Sequence, residues 1–452
     1  MTTPPASPGQ PPTGASSAPG APDAEVVDLC RDLLRIDTSN YGDSSGPGER
    51  KAAEYVAEKL AEAGLEPVVF DSEPGRTTVV ARVEGSDPNR TDALLMHGHL
   101  DVVPADASDW THDPFSGEIT DDCLWGRGAV DMKDMDAMIL SVMRDRLRTG
   151  RRPARPVVLA FLADEEAGGV LGAHWAVDHR PELFEGVTEA ISEVGGFSLT
   201  VNDDLRLYLV ETAQKGIDWM KLTVEGRAGH GSMVSSANAV TELAEVVARI
   251  GRFQWPVRLT PTVRAFLEEA GDAFGVEFDP DDPEALLGEL GNVGRIIGAT
   301  LRNSTNPTML KAGYKHNVVP GRAEAYIDGR FLPGQEEEFA ATLDEILGPN
   351  VKREALVRDI AVETTFDGPL VDAMSAALRA EDPGARPVPY CLSGGTDAKA
   401  FSLLGIRNFG FSPLRLPPEL DFAGMFHGVD ERVPLDGLRF GARVLDRFLD
   451  LA

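Results

Sequence analysis

Cysteine is scarce in this sequence. Cys30, Cys123 and Cys391 lie far apart and form no CxxC pair, which argues against a disulfide framework and a thiolate zinc site. Positive charge is also in short supply. Against 73 Asp and Glu stand 43 Lys and Arg, a formal net charge of -30 over 452 residues. A nucleic-acid or anionic-membrane partner needs a positive footprint, so neither is expected. Long hydrophobic runs are missing too: the most apolar stretches, such as VVLAFLA, are far too short to span a bilayer. Residues 1 to 22 (MTTPPASPGQPPTGASSAPGAP) have no charged side chain and no apolar core, which predicts a disordered tail rather than a signal peptide. A cytoplasmic location is the expectation.

What is present is a folded composition, 42% hydrophobic and 26% charged, in a chain long enough for two domains. From Asp23 onward, EVVDLCRDLLRI and ERKAAEYVAEKLAEAGL have helical spacing. The short apolar segments TTVVARVE, ALLMHGHLD and PVVLAFLA read as strands, with the helical MKDMDAMILSVMRDRL between the last two. Strands alternating with helices predict an α/β fold, an open sheet flanked by helices. After Gln214 the pattern changes to a β-α-β-β-α-β layout, which predicts an inserted α+β domain over 215–366. The catalytic domain is then split into 23–214 and 367–452. The acidic stretch around 265–295 is expected to elaborate the inserted domain.

Ligands on open α/β sheets collect at the carboxyl ends of the strands, and the polar residues of this chain fall there. His99 and Asp101 close LLMHGHLD, an arrangement in which a carboxylate orients a metal-binding imidazole or both bind directly. Asp131 enters a helix after a glycine-punctuated loop, as cap or as ligand; Asp134 and Asp136 read as solvated helix residues. VVLAFLADEEAGG runs a buried strand straight into Asp164, Glu165 and Glu166. Such a cluster is costly unless a cation sits among the carboxylates. Adjacent glutamates face different targets, so one can hold a cation while the other serves as a base. With Glu193 and His427 the set reaches two histidines and three carboxylates, which suits two metals sharing one bridging carboxylate. His230, between glycines in GRAGHGS, would reach a developing oxyanion. Arg330 offers a fork for a carboxylate, or pairs with an acidic neighbour. Gly394, Gly395, Thr396 and Asp397 in SGGTDAK are further candidates for substrate contact, or form a simple turn.

The segments GHLDVVPA, LWGRGAVDMKD, FLADEEAGG, SEVGG, GRAGHGS, NVVPGRAEAYIDGR, SGGTDAK and FHGVDERVP occur in one order between about 95 and 434. As an ordered set they resemble the zinc metallopeptidase and deacylase family of aminoacylase, acetylornithine deacetylase, succinyl-diaminopimelate desuccinylase, carnosinase-type dipeptidases and glutamate carboxypeptidase. The resemblance implies a di-zinc exopeptidase-type sheet with an inserted lid or dimerisation domain. His99, Asp131 and Glu193 would bind one zinc, and Asp131 would bridge to a second held by Glu166 and His427. Asp101 would orient His99, Glu165 would be the general base, and His230 would polarise the scissile carbonyl from the same or a partner subunit. Arg330 and Gly394 to Thr396 would contact substrate. Two positions depart from the family pattern, which has glycine where this chain has Asp134 and Val194. The first is expected to alter a helix start and the second a loop shape.

The implied reaction is hydrolysis of an amide by a water activated between two Zn2+ ions, with Co2+ or Mn2+ also suited to the donor set. A small peptide with a free carboxylate is the first expectation, as for a dipeptidase or carboxypeptidase. An N-acyl amino-acid deacylase is the alternative. A metal-free binding protein on the same scaffold is the rival from another class. A homodimer through the inserted domain is compatible with the pattern.

Overall fold

The computed structural model describes residues 21–43, 45–291 and 293–452. The predicted tail thus lies, up to residue 20, outside the described residues. Two strands show why the centre forms where it does. Ala93–His99 and Val157–Leu162 are buried at every position, as expected of strands covered on both faces. Along the second, Val157, Leu159 and Phe161 face one apolar core while Val158, Ala160 and Leu162 face another, the two-residue alternation of a strand. Val157–Leu162, Ala93–His99, Val187–Ser192 and Arg407–Gly410 are neighbours in that order and run parallel. Antiparallel strands extend this ten-stranded sheet on both sides, and Leu205–Gln214 forms the junction for Ala385–Leu392 and Phe197–Asn202.

Helices Val26–Leu34, Lys133–Arg148 and Leu435–Leu451 contribute to the larger core. Ala173–His179 and Ala398–Ser402 contribute to the smaller one on the opposite face. The Lys133–Arg148 helix corrects an expectation. Asp134 and Asp136 are 2% and 0% exposed, not solvated, because this helix is buried around its whole circumference from Lys133 to Arg146.

A separate four-stranded antiparallel sheet has the order Ser304–Ala312, Arg322–Phe331, Gly216–Glu225, Lys352–Asp359. The second of the four strands in the expected layout, not located in the sequence, is Ser304–Ala312. Helices Ala239–Arg252 and Glu336–Leu347 share a core with this sheet. Asn238 starts the first helix by accepting a hydrogen bond from the Val240 amide at 2.9 Å. The acidic stretch behaves differently from its expectation. Its helix Pro261–Phe274 places Val263, Phe266 and Leu267 in the core of the large sheet, as do Leu286, Leu290 and Ile297 further on. It elaborates the large unit, since its apolar residues find their partners there. The division at 215 and 366 stands as a proposal, with this stretch as an exception inside it.

Candidate metal centre

The carboxyl ends of the parallel strands bring the polar residues together. His99 ends its strand, Glu193 follows Ser192, and Glu165 and Glu166 lie just beyond Leu162. His99 Nε2 is 3.2 Å from Asp131 Oδ1, 3.5 Å from Glu193 Oε2 and 3.8 Å from Glu165 Oε2. His427 Nε2 is 3.0 Å from Glu166 Oε2 and 3.4 Å from Asp131 Oδ2. Two donor triads result, His99–Asp131–Glu193 and Asp131–Glu166–His427, each with its atoms within 4.8 Å of one another. Asp131 belongs to both.

Asp164, Glu165 and Glu166 avoid one another by turning. Asp164 adopts a left-handed backbone, φ +68°, and Glu165–Ala167 forms a short 3-10 turn rather than extended chain. Asp164 accepts from Asn40 at 3.1 Å and from the Leu171 amide at 2.9 Å, facing away from the two triads. Glu166 accepts from the Val103 amide at 3.2 Å and faces His427, while Glu165 faces His99. Asp101, fully buried, holds this arrangement. Its carboxylate accepts from the amides of Glu165 and Glu166, both at 3.1 Å, and from Asn40 at 2.9 Å. The same carboxylate lies 3.5 Å from His99 Nδ1, whose nearer partner is the Asp101 backbone oxygen at 3.0 Å.

Asp131 does not cap the following helix, whose N-cap is Met132 with no side-chain bond. Its position is set by Glu431, which sequence reading overlooked within FHGVDERVP. Buried Glu431 accepts from the amides of Gly128, Val130 and Asp131 at 3.0, 2.7 and 3.1 Å, and from Arg127 at 2.7 Å. The Asp131 loop and the His427 loop are therefore one hydrogen-bonded unit. A second overlooked residue, Gln214, holds the candidate substrate loop. It donates to Thr396 Oγ1 at 2.7 Å and accepts from the Thr396 amide at 3.0 Å.

The donor set fits divalent cations. Among the described residues no Lys or Arg makes a salt bridge to Asp101, Asp131, Glu165, Glu166 or Glu193. Burial pushes Glu166 up to about 7, and burial with the nearby Glu193 pushes Glu165 well above the carboxylate range. Hydrogen bonds to Asp131 and Glu166 push His427 up to about 10. Protons held by the carboxylates and by His427 offset the crowded negative charge here, a balance that bound divalent cations would supply instead, and imidazole-carboxylate sets suit Zn2+, Co2+ or Mn2+.

A cleft of about 430 Å³ opens onto these groups. Arg330 and Gly394 to Asp397 line it. Arg330 also pairs with Asp328, Nε to Oδ1 at 2.7 Å, and lies over the Trp219 ring at 5.4 Å. His230 does not reach the cleft; it is exposed, with Nδ1 2.8 Å from Ser232 Oγ. Val194, beside Glu193, sits at φ +50°. The backbone here has a conformation natural to glycine, and a β-branched residue bears the strain.

Residues 95–451 match the profile of peptidase family M20/M25/M40. The N-fatty-acyl-amino acid synthase/hydrolase of Xenopus tropicalis is 26% identical over 444 residues, 92% of this chain and 83% of that protein. Aminoacylase-1 of Sus scrofa is 26% identical over 414 residues, covering 90% of each. In fold, this chain is similar to an M20 family metallo-carboxypeptidase from Sulfolobus solfataricus, with TM-score 0.73, 19% identity, and coverage of 94% of this chain and 99% of that one.

Removing the Glu431 acceptor should loosen Asp131. Glu431→Ala is expected to cost about 3 kcal/mol or more in urea unfolding and to lower metal bound per chain. Full metal content and wild-type stability would contradict the anchoring role. Val194→Gly is expected to gain up to about 1 kcal/mol by relief of the left-handed strain; a clear loss in the same assay would refute it.

Proposed function

This chain belongs to peptidase family M20/M25/M40, and from that premise we propose that it hydrolyses the amide of an N-acyl amino acid with a free carboxylate. It is a metal-dependent hydrolase acting on small peptide or amide substrates. The finer reading rests on one observation. The cleft beside the two triads is lined both by Arg330 and by apolar Phe197, Ile296, Ala423 and Phe426. Arg330 suits a carboxylate, and the apolar lining suits an acyl group without charge. The names of the two curated relatives, a fatty-acyl amino acid hydrolase and an aminoacylase, agree with this order. A dipeptide or C-terminally trimmed peptide is the second reading, because a peptide is itself an N-acyl amino acid and Asp397 on the cleft wall could meet an amine.

We assign His99, Asp131 and Glu193 to one cation and Asp131, Glu166 and His427 to the other, with zinc as the proposed metal. When bound, such a pair acidifies water and polarises the amide carbonyl. Glu165 takes a proton from water and returns it to the departing amine. Burial and Glu193 raise its proton affinity, the direction a base working near neutral pH requires. Asp101 keeps both the His99 ring and the Glu165–Glu166 turn in place. Gly394, Gly395 and Thr396 position the substrate backbone, and Arg330 its carboxylate.

His230 enters through a homodimer in this proposal. Near it Met233 and Val234 are 69% and 101% exposed. The strand Ser304–Ala312, at one edge of the small sheet, exposes Met309 and Leu310. A second copy covering this surface would place each His230 at its partner's cleft, to stabilise the developing oxyanion.

Glu165→Gln is expected to keep its metal and lose about 10²- to 10⁴-fold in kcat on N-acyl amino acids; retained turnover would end the assignment. Mixing Glu165→Gln with His230→Ala subunits should restore part of the activity, because a mixed dimer has one site with both groups. No restoration in verified mixed dimers would place His230 in its own chain's site or outside the reaction.

A further inference from the structure

The acidic stretch that packs on the large sheet has no role in the two metal triads, yet it builds a wall beside them. A second cavity of about 210 Å³ lies between this stretch and the segment 416–423. Leu199, Phe274, Leu290, Leu416, Leu420 and Phe422 line it. Phe197, Ile296 and Ala423 line both this cavity and the cleft, so the two adjoin across a shared apolar threshold. An aromatic series follows the same route. Phe197 stands 5.9 Å from Tyr390 on the cleft side and 4.9 Å from Phe422 on the far side, with Phe426 5.2 Å from Phe422.

We propose that this second cavity is an acyl-chain gallery, which takes the apolar tail of a medium- or long-chain N-acyl amino acid whose amide lies at the metal centre. The inference rests on the deacylase reading above and adds to it where the tail goes. The occupant follows from position. Arg330 belongs to the small sheet, whereas Phe197 lies four residues beyond Glu193 and Ala423 four before His427. The threshold is thus on the large-sheet side, away from the group suited to the carboxylate. The part of the substrate that reaches it is the part across the scissile amide, the acyl group. Ser198, Thr200 and Glu289 also line the gallery, but Ser198 Oγ already accepts from the Leu416 amide and Glu289 is exposed; the buried apolar lining favours hydrocarbon over a peptide backbone, whose amides would need partners there. Arg295 and Asp421, 3.2 Å apart, join the stretch to the opposite segment at the exposed surface.

Chain length is the readout. Each buried methylene contributes roughly fourfold at most, so the metal-loaded wild type should cleave N-octanoyl and N-dodecanoyl amino acids with kcat/KM about tenfold or more above the N-acetyl form. Leu420→Trp and Thr200→Trp, which fill the gallery outside the cleft, should remove that advantage while leaving N-acetyl turnover within about twofold. Dodecanoate binding to the metal-free protein, followed by calorimetry, should weaken about tenfold in the same variants. This binding test holds even where one variant folds poorly, because the other fills the cavity from a different strand or loop. A flat chain-length profile with N-acetyl substrates cleaved, or equal losses on short and long chains, overturns the gallery alone. No cleavage of any N-acyl amino acid, with dipeptides cleaved, overturns the deacylase reading and the gallery with it.

Discussion

Asp131, Glu165, Glu166 and Glu193 crowd their carboxylates around two imidazoles, and that crowd sets the conditions for its surroundings. Two like charges 4 Å apart repel by about 4 kcal/mol at an effective dielectric near 20. Several such pairs at one strand edge would drive the loops apart unless something holds them. Part of the restraint is local. Asp101 ties the Glu165–Glu166 turn to the His99 strand, and Glu431 ties Asp131 to the loop that carries His427. Each uses backbone amides, which keep their geometry whatever charge the site carries. Divalent cations held by the two triads would supply the remaining attraction, and a preformed cage lowers the ordering that metal binding would otherwise demand.

The placement of arginine and lysine follows the same logic. Arg76 pairs with Glu49 and meets Asn40, Arg127 pairs with Glu431, and Lys133 donates to the carbonyls of Leu33 and Ile36. All three are buried and stand one layer behind the donor groups. Arg76 and Arg127 fix residues that hold the site, while among the described residues no Lys or Arg pairs with the donor oxygens. A guanidinium placed directly on Asp131 would compete with metal; placed on Glu431 it stiffens the loop without that competition.

The parallel strands and the polar residues at their ends were legible because each is written locally, whereas the grouping of those residues into two triads came from the family resemblance of the ordered motifs. VVLAFLA is apolar on both faces, and the polar residues at its end have no packing reason to be there. Other features depend on partners distant in sequence. Glu431 meets the Asp131 loop some 300 residues away, and Asn40 reaches Asp101 and Asp164 from a segment without any motif. Asp136 looked solvated because helical spacing alone does not reveal a helix covered on every side. The acidic stretch misled for a related reason. Its charges are outside and its sparse apolar residues, such as Phe266 and Leu290, find their core in strands on either side of it in sequence. Val194 was visible only as a missing glycine; its backbone angle explains why glycine belongs there.

The metal centre and the gallery belong to the large sheet, while Arg330 is carried by the small one. Contacts already cross between them. Asp359, at the end of a small-sheet strand, lies 3.8 Å from His174 and 3.9 Å from Lys399 of the large unit. These are long ion pairs and hold the units together weakly. Lys399 itself is 1% exposed, its ammonium has no hydrogen-bond partner among the described residues, and burial pulls it down to about 8. A substrate that engages Arg330 at one end and the donor triads at the other would bridge the same gap with stronger, directional contacts. Binding energy from the carboxylate and the tail is then spent on bringing the two units into register over the scissile amide, away from either end of the molecule it holds.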